Sequence, residues 1–224
     1  MCGRFSLTKE ELEIEKRFNA KFYSNDLVKR YNVAPSQLAL VLTDEKPNEL
    51  QLYKWGLIPS WAKESSMGYK MINAKSETIF EKPSFRNLIR KRRCLVISDG
   101  FYEWKLLTGK LKQPYRIGLK GDELFAFAGL WDDWTDKETG ELIPTFTIIT
   151  TEANPLVLPV HDRMPVVLPR NAEATWLSLQ TKDNEIKELL KPYPDTEMKA
   201  YPVSGLVNSP KNDCEDLILE IKEM

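Results

Sequence analysis

The sequence predicts an α+β fold with a mainly antiparallel, barrel-like β core and peripheral helices. Two observations carry this expectation. Short β-branched and aromatic runs, separated by turn signals, dominate residues 35–170, while helical patterns sit at the edges. Strand–helix alternation is missing, as are a GxGxxG fingerprint and a P-loop, which argues against a doubly wound nucleotide-binding fold.

Along the chain, Thr8-Lys9-Glu10-Glu11 is a capping-box pattern that opens a short helix carrying Leu12, Ile14 and Phe18. Leu38 to Thr43 and Leu50 to Trp55 read as strands. Ser84 to Arg93 reads as a basic helix capped by Ser84, followed by a buried-type strand from Cys94 to Ile97 that ends at Ser98-Asp99-Gly100. Phe101 to Leu107 and Lys110 to Leu119 flank Thr108-Gly109 as a hairpin, and Leu124 to Gly129 follows as a strand. Trp134 to Glu141 reads as a polar loop, Thr145 to Thr150 as a β-branched strand, and Val166 to Leu168 as a short strand after Pro165. Asn171 to Leu179 and Asn184 to Lys191 read as helices, and Pro192 and Pro194 break the pattern. No internal repeat or low-complexity segment is present, so the expectation is one domain over residues 1–224, with a core of about 2–210 and a short acidic C-terminal tail.

The 224 residues are 42% hydrophobic and 29% charged, enough to bury a sizeable core in a soluble chain. No apolar run approaches the ~20 residues of a membrane span, and Thr8, Lys9, Glu10 and Glu11 interrupt any signal-peptide pattern, so a cytosolic location is the default. Three scattered cysteines and a single histidine argue against a disulfide framework and against a Cys/His zinc site. The net charge of −1 does not by itself suggest a nucleic-acid binder. Its distribution is uneven: residues 171–224 hold 6 Lys+Arg against 11 Asp+Glu, while Lys82, Arg86, Arg90, Lys91, Arg92 and Arg93 concentrate positive charge. Such a cluster is most often a solvated helix face, and a phosphate-contacting patch is the sharper alternative.

Cys2 carries the most unusual chemistry. Once Met1 is removed, its α-amine, titrating near ~8, and its thiol, near ~8.5, form a 1,2-aminothiol. Such a pair attacks an aldehyde twice: the amine makes a Schiff base and the thiolate closes a thiazolidine. On position alone, an ordinary frayed terminus is the favoured reading. His161, held between Pro159 and Pro165, can exchange protons near neutral pH, though a lone histidine is more often a surface or strand-capping residue. Glu103, flanked by Phe101, Tyr102 and Trp104, would have a raised pKa if desolvated; strand alternation alone leaves open whether it faces inward or out. Asn73 can hydrogen-bond a sugar or an oxyanion, or serve as a turn residue. Of the tryptophans, Trp61, in the loop Pro59-Ser60-Trp61, is the best candidate for stacking on a base.

Met1-Cys2-Gly3-Arg4-Phe5, Arg30-Tyr31-Asn32-Val33-Ala34-Pro35, Trp55-Gly56-Leu57-Ile58-Pro59-Ser60-Trp61, Asn73-Ala74-Lys75-Ser76-Glu77-Thr78, Asp99-Gly100-Phe101-Tyr102-Glu103-Trp104 and His161-Asp162-Arg163-Met164-Pro165 resemble, in order and spacing, the SOS-response-associated peptidase (SRAP) family. The resemblance runs from residue 2 to about residue 210. It implies a compact α+β fold with a barrel-like core and a protein acting at abasic sites in single-stranded DNA. It further implies that Cys2 crosslinks to the ring-opened deoxyribose and shields the lesion. By the same resemblance, Asn73, Glu103 and His161 join Cys2 as active-site positions. Glu103 and His161 would move protons, and Asn73 would orient the sugar or the Cys2 amine. Arg4, Lys75 and Arg163 match phosphate-contacting positions, and Pro35, Trp61 and Thr150 match positions lining the DNA channel. Lys75 departs from the arginine common in the family, which keeps the charge and loses the planar fork.

Two other readings stand beside this one. A cysteine peptidase would use Cys2 as nucleophile, including autoproteolytic removal of Met1, with His161 as base and Glu103 or Asn73 as orienter. A non-catalytic single-strand binder would use the basic helix and Trp61. The expectations are therefore a monomer partnered by abasic single-stranded DNA, with no cofactor, metal or membrane, located in the cytoplasm and nucleoid-associated when bound.

Overall fold

The β-branched and aromatic runs close into a ring of five strands. The computed structural model describes residues 2–23 and 29–222. Its strands are β1 (Phe5–Leu7), β2 (Lys21–Phe22), β3 (Arg30–Val33), β4 (Leu38–Thr43), β5 (Glu49–Trp55), β6 (Asn73–Lys75), β7 (Arg93–Ser98), β8 (Gly100–Leu106), β9 (Lys112–Leu119), β10 (Phe125–Thr135), β11 (Leu142–Glu152), β12 (Arg163–Pro165), β13 (Val167–Leu168) and β14 (Met198–Pro202). The α-helices are α1 (Glu11–Phe18), α2 (Leu88–Lys91), α3 (Glu173–Leu177) and α4 (Asp183–Leu189).

β5, β4, β7, β10 and β11 pair antiparallel in that order, and a parallel contact between β11 and β5 (Phe146 opposite Trp55) closes the barrel. Closure removes the exposed edges that an open sheet of this size would present. The interior is filled by Val41, Trp55, Val96, Phe127, Trp131 and Phe146, with Trp55 and Phe146 stacked at 6.3 Å and 9°. Gly129 lets β10 pass close to its neighbours: a Cβ there would lie 2.7 Å from Cys94 Sγ and 3.0 Å from the Thr147 carbonyl.

A second sheet, in the order β14-β9-β8-β1-β3, lies against the barrel. Phe5, Phe101 and Ile117 from this sheet belong to the same core as the barrel residues. Its other face, at Tyr102, is covered by Val203, Val207 and Leu217 of the C-terminal segment. α1, α3 and α4 cover the outside of the barrel through Ile14, Phe18, Trp176 and Ile186, packed with Leu40, Leu42, Leu95 and Ile97.

The sequence expectations hold for the fold class and the main strands, with four local corrections. The Thr8 capping box does not form. The N-cap of α1 is Glu10 without a side-chain bond, and Thr8 instead gives both its N–H and its hydroxyl to Asp99 Oδ2, each at 2.6 Å. The basic helix shrinks to α2, because residues 84–87 form turns and Arg93 begins β7. The Arg93 guanidinium is wholly buried, satisfied by the carbonyls of Ile89, Trp176 and Ser178, so it is no part of an exposed basic face. Trp134 is the buried end of β10 rather than loop, donating its indole N–H to the Ala62 carbonyl at 2.9 Å. The segment from Asn171 to Leu179 is a 3-10 turn followed by the shorter α3.

Asp99 and Arg116, 1% and 3% exposed in their side chains, form a buried ion pair at 3.1 Å. Truncating one partner of such a pair leaves an uncompensated buried charge. Asp99→Ala is expected to lower unfolding free energy by about 3–5 kcal/mol in urea titration.

Candidate active site

The site is built where β1 delivers the N-terminal arm between the two sheets. Phe5 lies opposite Phe101, and the Tyr102 N–H donates to the Arg4 carbonyl at 2.9 Å. This antiparallel register carries residues 2 and 3 past Glu103. Cys2 is completely buried, with its Sγ 3.9 Å from the Arg4 carbonyl. A second anchor comes from β6, where Asn73 Nδ2 donates to the Cys2 carbonyl at 2.8 Å. β6 is itself placed by parallel pairing with β11, Asn73 opposite Ile148. The Trp55 indole holds the preceding residue through the Ile72 carbonyl at 2.9 Å. Asn73 Oδ1 is buried and accepts no hydrogen bond among the described residues, which leaves an acceptor for a substrate hydroxyl or amine.

Burial sets the protonation of this cluster. Glu103 is 2% exposed, and desolvation pushes its carboxyl up to about 7. Burial, and then the negative charge of Glu103, push the Cys2 thiol far above its usual range. Burial also lowers His161. The Arg163 N–H points at His161 Nδ1, 3.0 Å away, so Nδ1 is an acceptor and the neutral ring carries its proton on Nε2. Asp162 Oδ1 lies 2.9 Å from the same Nδ1 and becomes an ion-pair partner only if that nitrogen is protonated. Asp162 is 81% exposed, so its attraction is solvent-screened and desolvation prevails. The charge of Asp162 also acts on Glu103, placing the His161 loop within electrostatic reach of that carboxyl.

The flanking positions fall into groups. Lys75 and Thr150 stand opposite each other on β6 and β11, Lys75 exposed and Thr150 buried. Arg163, on the far side of β11, forks onto Glu77 at 2.5 and 3.0 Å and donates to the Thr150 carbonyl at 2.7 Å. That pairing with Arg163 holds Glu77 below the usual carboxylate range. Pro35 is half-buried. Trp61 is 60% exposed on the loop fixed by Ser60 N–H to Asp132 Oδ2 at 2.8 Å. Arg4 turns inward, its Nη1 donating to Asn32 Oδ1 and to the Val207 carbonyl, both at 2.8 Å. Sequence reasoning passed over Asn32 as a functional residue. It is wholly buried and ties Arg4 to the C-terminal segment through the carbonyls of Ser209 and Asn212 at 3.0 and 2.7 Å. Its signal was its place inside the Arg30–Pro35 motif.

Among the described residues, no group of three or more His, Cys, Asp or Glu is placed to hold a metal ion. No helix there is long and apolar enough to cross a membrane.

The sequence profile of the SOS response associated peptidase (SRAP) family matches residues 1–210. The chain belongs to the SRAP family. It is 48% identical over 222 residues to abasic site processing protein YoqW of Bacillus subtilis, covering 97% of this chain and 99% of that one. It is 33% identical to abasic site processing protein HMCES of Gallus gallus, covering 86% of this chain and 66% of that one. In three dimensions it resembles the crystal structure of a protein from Bacteroides thetaiotaomicron with a TM-score of 0.90 and 33% identity, covering 99% and 100% of the two chains.

The raised carboxyl of Glu103 has a measurable consequence. Between about pH 4.5 and 7 the folded chain keeps a proton on Glu103 that the unfolded chain has released. The folded state binds more protons there, so this group's contribution falls as pH rises, by on the order of 3 kcal/mol across the window. Glu103→Gln removes that slope. Denaturant titrations at pH 4.5 and 8 are expected to show the variant gaining stability on wild type as pH increases, and parallel curves would refute the assignment.

Proposed function

We propose that this SRAP-family protein processes abasic sites in single-stranded DNA by closing a thiazolidine on Cys2. The observation that supports this best is the arrangement around the second residue. Its carbonyl is fixed by Asn73 at 2.8 Å, and it lies beside a buried carboxyl that titrates at about 7. The relatives named for abasic site processing match nearly the whole chain.

Met1, whose removal this reaction requires, lies outside the described residues. Its removal exposes the Cys2 α-amine. The amine adds to the C1′ aldehyde of the ring-opened deoxyribose, and the carbinolamine loses water to give an iminium. The thiol sulfur then bonds to the same carbon while its proton is released and the nitrogen becomes a neutral secondary amine. Aldehyde plus aminothiol gives thiazolidine plus water, with no change of oxidation state. Glu103, near half-protonated at neutral pH, supplies a proton to the departing hydroxyl and receives one from the thiol. The neutral His161 ring offers a second donor. Asn73 limits rotation about the Cys2 backbone and so orients the amine.

The buried thiol supports this order of events. A peptidase must deprotonate this thiol before it can attack, and burial with Glu103 nearby opposes that. An amine that attacks first needs no resting thiolate.

Protein with Met1 removed, mixed with an oligonucleotide carrying one abasic site, is expected to give a covalent adduct on a denaturing gel. Cys2→Ala should give none, and acetylating the α-amine should abolish thiazolidine closure. Absence of adduct with correctly processed protein would overturn the reading. Asn73→Ala should slow adduct formation by about 100-fold through loss of orientation, read as single-turnover rates on equal amounts of folded protein.

A further inference from the structure

The reaction at Cys2 leaves the last part of the chain without a role. Residues 203–217 lie on the outer face of β8, where Val203, Val207 and Leu217 pack on Tyr102, and Tyr31, Trp104 and Tyr201 close round them. Apolar burial of this kind holds a segment in place without giving it direction. The segment adds a set of directional bonds, and several of them end on residues next to the reactive pair, Cys2 and Glu103.

On the Cys2 side the link runs through Asn32. Its side chain is wholly buried, so it is out of reach of a substrate. Its Nδ2 donates to the carbonyls of Asn212, Ser209 and Val207 at 2.7, 3.0 and 3.3 Å. Its Oδ1 accepts Arg4 Nη1 at 2.8 Å, and the same Nη1 donates to the Val207 carbonyl at 2.8 Å. Arg4 Nε in turn donates to the Gly3 carbonyl at 3.3 Å. The two peptides that flank Gly3 are thereby held from different elements, the Cys2 carbonyl by Asn73 on β6 and the Gly3 carbonyl by the anchored Arg4.

On the Glu103 side the link runs through its two neighbours in sequence. Tyr102 donates its hydroxyl to the Tyr31 carbonyl at 2.7 Å. The Tyr31 N–H donates to Asp213 Oδ1 at 2.5 Å, and Arg30 Nε to Asp213 Oδ2 at 2.6 Å. Trp104 donates its indole N–H to Asn208 Oδ1 at 2.7 Å, and its ring centroid lies 6.0 Å from Arg4 Cζ. The family profile stops at residue 210, and Asn212 and Asp213 stand beyond it.

We propose that residues 203–217 are a clamp on the reactive pair, with Asn32, Asn208 and Asp213 as positioning residues that do not touch the DNA. Cys2 precedes β1 and Glu103 lies on β8, so their mutual placement depends on what grips both. Asn32 fixes Arg4 and with it the arm that carries Cys2. Asn208 fixes Trp104, and Asp213 fixes Tyr102 through Tyr31. An error of about 1 Å at a reacting centre costs on the order of 100-fold in rate, so a clamp of this kind acts on the rate and not on binding. The inference rests on the proposed reaction at Cys2, and its test separates the two.

Asn208 and Asp213 are exposed, so Asn208→Ala/Asp213→Ala removes bonds and leaves the apolar packing, and an unchanged thermal midpoint would show that the variant folds. Should the double variant unfold, the single variants are read by the same criteria. With an oligonucleotide carrying one abasic site, the single-turnover rate of adduct formation at saturating DNA should fall about 10-fold, with the half-saturating concentration unchanged. Asn208→Asp in place of Asn208→Ala keeps the acceptor for the Trp104 indole and should recover part of the rate. A rate equal to wild type overturns the clamp. A raised half-saturating concentration at an unchanged saturating rate overturns it as well, because the segment would then be a DNA contact. A second readout needs no DNA: alkylation of the buried Cys2 by iodoacetamide should be about tenfold faster in the double variant, as local opening becomes easier. Peptide mass spectrometry separates Cys2 from the exposed Cys214, and equal alkylation rates overturn the clamp. A missing adduct with wild type would count against the reaction at Cys2, and the clamp would then stand or fall on alkylation.

Discussion

The Asp99 carboxylate, wholly inside the protein, is the constraint on which the site depends. Its Oδ1 accepts the Ser6 hydroxyl at 2.6 Å and the Arg116 guanidinium at 3.1 Å, and its Oδ2 accepts both the N–H and the hydroxyl of Thr8 at 2.6 Å. A buried carboxylate tolerates its desolvation only when such donors surround it. The requirement is mutual, because two of those donors, Ser6 and Thr8, belong to the N-terminal arm. Gly100 keeps the geometry open, since a Cβ there would come within 2.7 Å of the Arg116 guanidinium. Fixing Ser6 and Thr8 fixes β1 against β8, and β1 decides where the chain's second residue stands. An end that would ordinarily fray is thereby tied at residues 6 and 8, and again at Asn73.

Holding the arm this tightly changes what its chemistry can be. The low polarizability that raises Glu103 toward neutrality also suppresses the Cys2 thiolate. One environment therefore provides a proton donor and acceptor near pH 7 and keeps the sulfur protonated until a partner arrives. In the proposed reaction, an iminium next to the thiol would reverse the electrostatic balance, because a positive charge favours thiolate where the Glu103 carboxylate opposed it. Sulfur would then become nucleophilic only once its target has formed, and a resting protonated thiol is also slow to oxidise.

Much of this was legible in the sequence because the barrel strands are long enough to show their β-branched character. β4, β5, β7 and β11 were visible for that reason. β1, β3, β6 and β14 span three to five residues, too few for alternation to register, and they gain their structure from partners distant in sequence. The orientation of Glu103 was undecidable for a related reason. Phe101, Tyr102 and Glu103 are all buried because β8 is covered on both faces, by the barrel core and by the C-terminal segment, and alternation discriminates only when one face is wet. The Thr8 capping box failed through competition. Its local pattern was correct, and a distant buried carboxylate offered the stronger acceptor. Arg4, which matches a phosphate-contacting position by resemblance, is drawn inward by Asn32 and Val207.

Lysine at position 75 fits the charges around it. Arg163 is already engaged, forked onto Glu77 and bonded to the Thr150 carbonyl. A phosphate reaching that guanidinium must displace or share Glu77, whose side chain is 44% exposed, so the exchange costs about 1 kcal/mol or less. Lys75 has no ion-pair partner among the described residues and lies across the Thr150 backbone from Arg163. Its ammonium needs no fixed approach angle and breaks no existing pair. A rigid fork on β12 and a flexible point charge on β6 therefore flank one strand with complementary properties. In the proposed complex with DNA, the fork would fix the position of a phosphate and the ammonium would follow it as the backbone bends toward Cys2.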